Sequence, residues 1–124
     1  MSSKSGDLGR RGEEMAAKYL AKKGYRIVAR NFKCQPGEID IVAYDADSLV
    51  FVEVKYYSDT AYHDALDALT PSKIKKIIRA AEVYLWQEHV DEGCEVRFDV
   101  VAIDRHGGEE LEIKHLQDAF DRDR

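Results

Sequence analysis

Cysteine and proline are scarce in this chain of 124 residues, with two of each, and it holds a single tryptophan. No apolar run approaches the ~20 residues of a membrane span, so no bilayer-crossing helix is expected. Cys34 and Cys94 stand far apart without a Cys-x-x-Cys spacing, which argues against a thiolate metal site or a disulfide framework. His63, His89, His106 and His115 are scattered, again without zinc-ligand spacing. Repeats, low-complexity tracts and a linker are also missing, so residues 1–124 read as one domain, with 1–6 and 121–124 expected to fray. The opening Met1-Ser2-Ser3-Lys4 lacks the apolar centre of a secretory signal, and a cytoplasmic protein is expected.

Charge is abundant and unevenly spread. The formal net charge is −5, which by itself disfavours a nucleic-acid partner. Residues 1–33, however, carry nine Lys/Arg against three acids, Arg10 and Arg11 among them. Residues 34–72 carry one base and eight acids, residues 73–82 four bases and one acid, and residues 83–124 five bases and twelve acids. Two basic segments therefore flank an acidic centre, which hints at an anionic partner, although a solvated helix face is the commoner origin of such a run.

Apolar periodicity supplies the elements. Leu8, Met15, Ala16, Tyr19 and Leu20 form one stripe of a helix from about Asp7 to Lys23, stopped by Gly24. Glu13 falls near the border of that stripe; it either reaches inward or serves as a first-turn acid. Tyr25–Phe32, a segment ending near Tyr44 after the Pro36-Gly37 turn, and Leu49–Tyr56 read as strands. Ser58–Leu69 has no clean period and could form a flap. Thr70-Pro71 caps a helix reaching about His89, whose Ile74, Ile77, Ile78, Ala81, Tyr84 and Leu85 share an arc of roughly 120°. Lys75, Lys76 and Arg79 lie opposite, with Lys73 at the margin, and such a row could track a phosphate backbone. Val96–Ile103 forms a further strand, Leu111–Lys114 a short edge strand, and Leu116–Phe120 a terminal helical turn. Tyr56, Tyr57, Tyr62 and Trp86 could stack on unpaired bases, though packing is the commoner use of an aromatic ring.

Ionised residues stand within two of these strands. Gly37-Glu38-Ile39-Asp40 and Glu53-Val54-Lys55 set charges among β-branched and aromatic neighbours. Alternation points Glu38 and Asp40 one way, and Glu53 and Lys55 one way. A hairpin turning at Ala46-Asp47 would set Asp40 opposite Glu53 and Glu38 opposite Lys55, with Cβ atoms about 5 Å apart. Two carboxylates so close repel unless a proton or a cation lies between them. The bland reading is a solvated strand face; the combination of an acidic strand, a hairpin and a Glu-x-Lys step weighs against it.

Together, Gly12-Glu13, Asn31-Phe32, Gly37-Glu38-Ile39-Asp40, Phe51-Val52-Glu53-Val54-Lys55 and Arg97-Phe98-Asp99-Val100 resemble the YraN family of bacterial proteins. That family belongs to the PD-(D/E)XK nuclease superfamily and is similar to archaeal Holliday junction resolvases. The resemblance implies an α/β, restriction-endonuclease-like core of order α-β-β-β-α-β, with a mixed central sheet flanked by helices. It further implies Asp40, Glu53, Lys55 and Glu13 as catalytic residues, and a Mg²⁺ or Mn²⁺ ion on Asp40, Glu53, the Val54 carbonyl and Glu13. Glu38 matches the strand motif without a settled role. The activity implied is endonucleolytic hydrolysis of branched or structured DNA, bound by Arg10, Arg11, Lys73, Lys76 and Arg79, by a homodimer if both strands are to be cut symmetrically. Ile39 stands where the superfamily's eponymous proline would be, and Tyr57 where relatives commonly carry Arg. The alternative is a nucleic-acid-binding or scaffold protein that keeps the fold without cleavage.

Overall fold

The computed structural model describes residues 6–57, 69–105 and 111–122. Its order is α1 (Gly6–Lys22), β1 (Arg26–Cys34), β2 (Gly37–Asp45), β3 (Ser48–Tyr57), α2 (Pro71–Gln87), β4 (Val96–Arg105) and β5 (Leu111–Phe120). The strands form a five-stranded sheet in the order β1-β2-β3-β4-β5. Neighbours are antiparallel except β3 and β4, whose parallel pairing requires the crossover that α2 supplies. This is the mixed α/β sheet flanked by helices that the family resemblance implies. Among the described residues no helix is long and apolar enough to cross a membrane. The expected flap lies outside the described residues apart from Leu69, which is buried in the α2 core.

A separate core occupies each face. Ala16, Ala17 and Leu20 of α1 cover Ile41, Ala43, Val50, Val52, Val54, Val101 and Ile103. On the other face Ile77, Ile78, Ala81 and Tyr84 of α2 cover Val42, Leu49, Phe51, Phe98 and Val100. The central strands are thus buried on both sides, which explains their near-continuous Val/Ile content. At 25 cal/mol per Å², each fully buried Leu, Ile or Phe contributes about 1.5–3 kcal/mol. Gly24 (φ 99°) ends α1 where the helical stripe runs out, and the Thr70 hydroxyl accepts from the Lys73 N–H to cap α2.

The β2–β3 hairpin has the expected register: Tyr44 pairs with Leu49 and Ile41 with Val52 around a two-residue Ala46-Asp47 turn. Two local expectations need correction. Residues 116–120 form no helical turn; they continue β5, with Leu116 paired to Val100 and Phe120 to Phe98. Stacking of Phe120 on Phe98, 4.9 Å between centroids, supplies an apolar contact that a solvated terminal turn would forfeit. The ladder also ends at Ile41–Val52, so the expected pairs Asp40–Glu53 and Glu38–Lys55 do not form, and β2 inverts between Ile41 and Ile39, at Asp40.

Candidate metal centre

That inversion builds the site. Ile41 and Ala43 face α1 and Val42 faces α2, so unbroken alternation would send Ile39 to α1; it lies instead in the α2 core. Across from Asp40, between the pairs Arg30–Ile41 and Phe32–Ile39, Asn31 adopts the left-handed conformation at φ 55°. Asn tolerates this region better than most residues, and here it lets β1 follow the turn of β2. Gly37 presses on α2, where a Cβ would stand 3.1 Å from the Lys76 carbonyl. Alternation from Ile39 then turns Glu38 toward the α1 side.

Asp40 itself is 1% exposed, and its Oδ2 accepts a 2.8 Å hydrogen bond from the Val54 N–H. A side chain thereby completes the edge of β3 where the main-chain ladder stops. Glu53 and Lys55, alternating with the α1-facing Val52 and Val54, project to the α2 side. They form an ion pair of 3.2 Å with both side chains almost wholly enclosed. Glu13 is buried on α1, next to Gly12, whose missing Cβ allows the Tyr56 ring to approach: a Cβ there would lie 2.9 Å from Tyr56 Cδ2. The structure thus brings Asp40 to Val54 and Glu53 to Lys55, while Glu13 approaches from the other side of the sheet. Among the described residues no three His, Cys, Asp or Glu side chains are grouped to hold a metal ion. Arg10 and Arg11 are exposed on α1, and Lys73, Lys76 and Arg79 on α2, where the Gly37 contact sets Lys76 beside the start of β2.

The model of the family described as "Uncharacterised protein family UPF0102" matches residues 12–103, a span that holds the α1 acid, both charged strands and α2. The chain belongs to this family. A UPF0102 protein of Prosthecochloris aestuarii is 46% identical over 119 residues, covering 92% of this chain and 93% of that one. A UPF0102 protein of Pelobacter propionicus is 44% identical over 117 residues, covering 93% and 83%. A UPF0102 protein of Nitrosococcus oceani is 40% identical over 114 residues, covering 92% and 91%.

This UPF0102 chain also holds a buried polar network to which its sequence assigned no role. Asp99, 1% exposed, accepts from Arg97 Nε (2.9 Å) and Nη2 (3.0 Å), from the Asp118 N–H (3.0 Å) and from His115 Nε2 (2.7 Å). Lys23 Nζ lies 2.8 Å from His115 Nδ1; an ammonium can only donate there, which assigns the neutral, Nε2-protonated imidazole. Arg97 also reaches Asp45 at 3.0 Å and the Tyr25 hydroxyl at 2.6 Å. Burial opposes ionisation of Asp99, but the bonds from His115, Arg97 and the Asp118 N–H outweigh it and hold its pKa below the ordinary value. Burial, reinforced by the Asp99 charge, pushes the Tyr25 phenol up to about 12. Arg97 and Asp99 stand in register with Val50 and Val52, whereas Glu53 and Lys55 stand in register with Val100 and Ala102, further along the parallel pair. The signal in the sequence was a charged Arg-x-Asp step inside a strand with no surface to face.

Proposed function

We propose that this protein is a Mg²⁺- or Mn²⁺-dependent endodeoxyribonuclease that hydrolyses phosphodiester bonds in branched or structured DNA. The observation that carries the reading is the buried Asp40 carboxylate held at the Val54 N–H, beside the Glu53–Lys55 pair. Extended backbone sends the N–H and C=O of one residue toward the same neighbour, so the Val54 carbonyl projects to the side from which Asp40 reaches. The donors are all oxygen, which suits Mg²⁺ or Mn²⁺ and not a thiolate-seeking metal. Mg²⁺ needs only one or two carboxylates when water and phosphate fill the remaining positions, so a three-acid cage is no requirement. Glu38 Oε2, buried without a hydrogen-bond partner, adds an acceptor that a cation or an ordered water would satisfy.

Asp40, Glu53 and the Val54 carbonyl would hold the ion; Glu13, carried by α1 on the other face of the sheet, is left out of this ligand set. When bound, the ion acidifies a coordinated water and offsets phosphate charge. Lys55, kept in place by Glu53, would present its ammonium to charge developing on the scissile phosphate. Lys73, Lys76 and Arg79, with Arg10 and Arg11, would neutralise neighbouring phosphates without reading sequence. Cutting both strands of a symmetric junction would be simplest for a two-fold dimer.

The test is cleavage of labelled four-way junctions, flaps and single strands with Mn²⁺. Wild type should cut at least one substrate, and Asp40→Ala, Glu53→Ala and Lys55→Ala should each lose at least about 100-fold. Cleavage equal in wild type and all three variants would assign the activity to a contaminant. A second reading, a DNA-binding scaffold that does not cleave, is favoured by the engagement of Lys55 with Glu53 and by Tyr57 in the place of an arginine. It predicts junction binding that Lys55→Ala leaves unchanged, with no product at any Mn²⁺ concentration.

A further inference from the structure

At the end of the sheet where β4 begins and β5 finishes, remote from Asp40 and Lys55, a groove of about 630 Å³ opens between the C-terminal turn of α2 and the sheet. The half-buried Leu85, Val90 and Val96 supply an apolar strip on its floor, over the buried, stacked rings of Phe98 and Phe120. Among the described residues its rim carries four acids, Asp91, Glu92, Asp118 and Asp121, with one cation, Arg122. Trp86, next in sequence to the groove residue Leu85, is 78% exposed, although an indole is costly to leave in water. These acids would repel phosphates and so disfavour nucleic acid at this face. They also make a strongly negative frame around an apolar depression, the arrangement that accepts an apolar anchor side chain flanked by Lys or Arg. The volume lies in the range that encloses one or two large side chains rather than a whole domain surface.

We infer that this groove docks a basic amphipathic segment of a protein partner, which seats an aromatic or aliphatic side chain on Leu85, Val90 and Val96 and pairs its cations with Asp91, Glu92, Asp118 and Asp121. The partner side of the molecule is thereby opposite in charge to the basic row on α2, and the two surfaces can be occupied together. The inference stands apart from the nuclease proposal, because it uses neither Asp40, Glu53 nor Lys55.

Trp86 is the only tryptophan and follows the groove residue Leu85, so its emission is a single probe next to this groove. The full chain would be titrated with a synthetic helical peptide of Leu, Phe and Lys arranged on two faces, and with a scrambled peptide of equal charge. The two-faced peptide should shift Trp86 emission to the blue and bind at least about tenfold tighter than the scrambled one. Asp91→Lys/Glu92→Lys and, separately, Val90→Lys should each weaken it at least about tenfold while leaving the thermal unfolding midpoint within a few degrees. Equal binding of the two peptides, or unchanged binding by both variants, would overturn the inference. So would peptide-free sedimentation showing a dimer that Val90→Lys dissolves, since the occupant would then be a second copy of the chain.

Discussion

Asp40 Oδ2 sits 2.8 Å from the backbone nitrogen of Val54, and this one bond closes the gap that opens when β2 leaves β3. It makes the carboxylate part of the sheet rather than a side chain laid upon it. Asp40 therefore satisfies a buried N–H, and under the proposed function it would also be a ligand of the metal ion.

These two duties separate by substitution. Asp40→Asn keeps an oxygen acceptor for Val54 and should fold with a loss under about 1.5 kcal/mol, whereas Asp40→Ala leaves the N–H unmet and should lose about 1–3 kcal/mol. Both should lose Mn²⁺ binding. Urea denaturation checks the first statement and titration calorimetry the second.

Gly12 is expected to be intolerant of even one carbon. A Cβ would stand 2.9 Å from Tyr56 Cδ2, so Gly12→Ala must move the ring or lift α1 away from β3, at about 1–3 kcal/mol. Tyr56→Ala in the same chain should recover part of that loss, and a double-mutant cycle measures how much.

Acid should act through Asp99. Its folded pKa lies below the unfolded value near 4, so its contribution is complete above about pH 4 and fades as pH falls through the folded value. Asp99→Asn should lose about 3 kcal/mol at neutral pH and show a flatter acid limb, because a buried partner of Arg97 is removed. Tyr25 works in the opposite direction: its phenol, raised to about 12, favours the fold until pH climbs past about 10. Stability measured from pH 2 to 11 tests both limbs, and ultraviolet titration should show Tyr25 among the tyrosines that ionise late.

The basic row of α2 should act by charge alone. Lys73→Ala with Lys76→Ala is expected to weaken junction binding similarly for different sequences and to lower the salt slope by about 2. Arg30→Ala, whose guanidinium is engaged by Glu14 at 2.9 Å, should change the slope less.

The hairpin register and the α2 stripe were legible because each follows from a repeating pattern, period two or 3.6, with a turn residue at the boundary. The Glu-Val-Lys step was legible for the same reason, and Glu53 and Lys55 do share a face. The inversion at Asp40 was not, since it depends on Asn31 adopting φ 55° on a different strand, and nothing in the spelling of β2 announces that. Leu116, Ala119 and Phe120 fit a helical turn as readily as a strand; what decides is Phe98, a partner remote in sequence. His115 carries no signal in its spacing, yet its side chain is 2% exposed, because only folding brings Tyr19, Tyr25 and Asp99 around it.

The parallel pairing of β3 with β4 has a consequence for how the chain assembles. β1, β2 and β3 are joined by tight turns, so the Asp40–Val54 bond forms within a local meander, with little loop entropy to overcome. Everything contributed by β4 and β5, the Arg97 network and the acidic groove included, waits for α2 to bridge the two halves. Pulse-labelling hydrogen exchange should find the amides of β2 and β3 protected before those of β4, leaving the incipient edge of β3 as the surface most exposed to mispairing during synthesis.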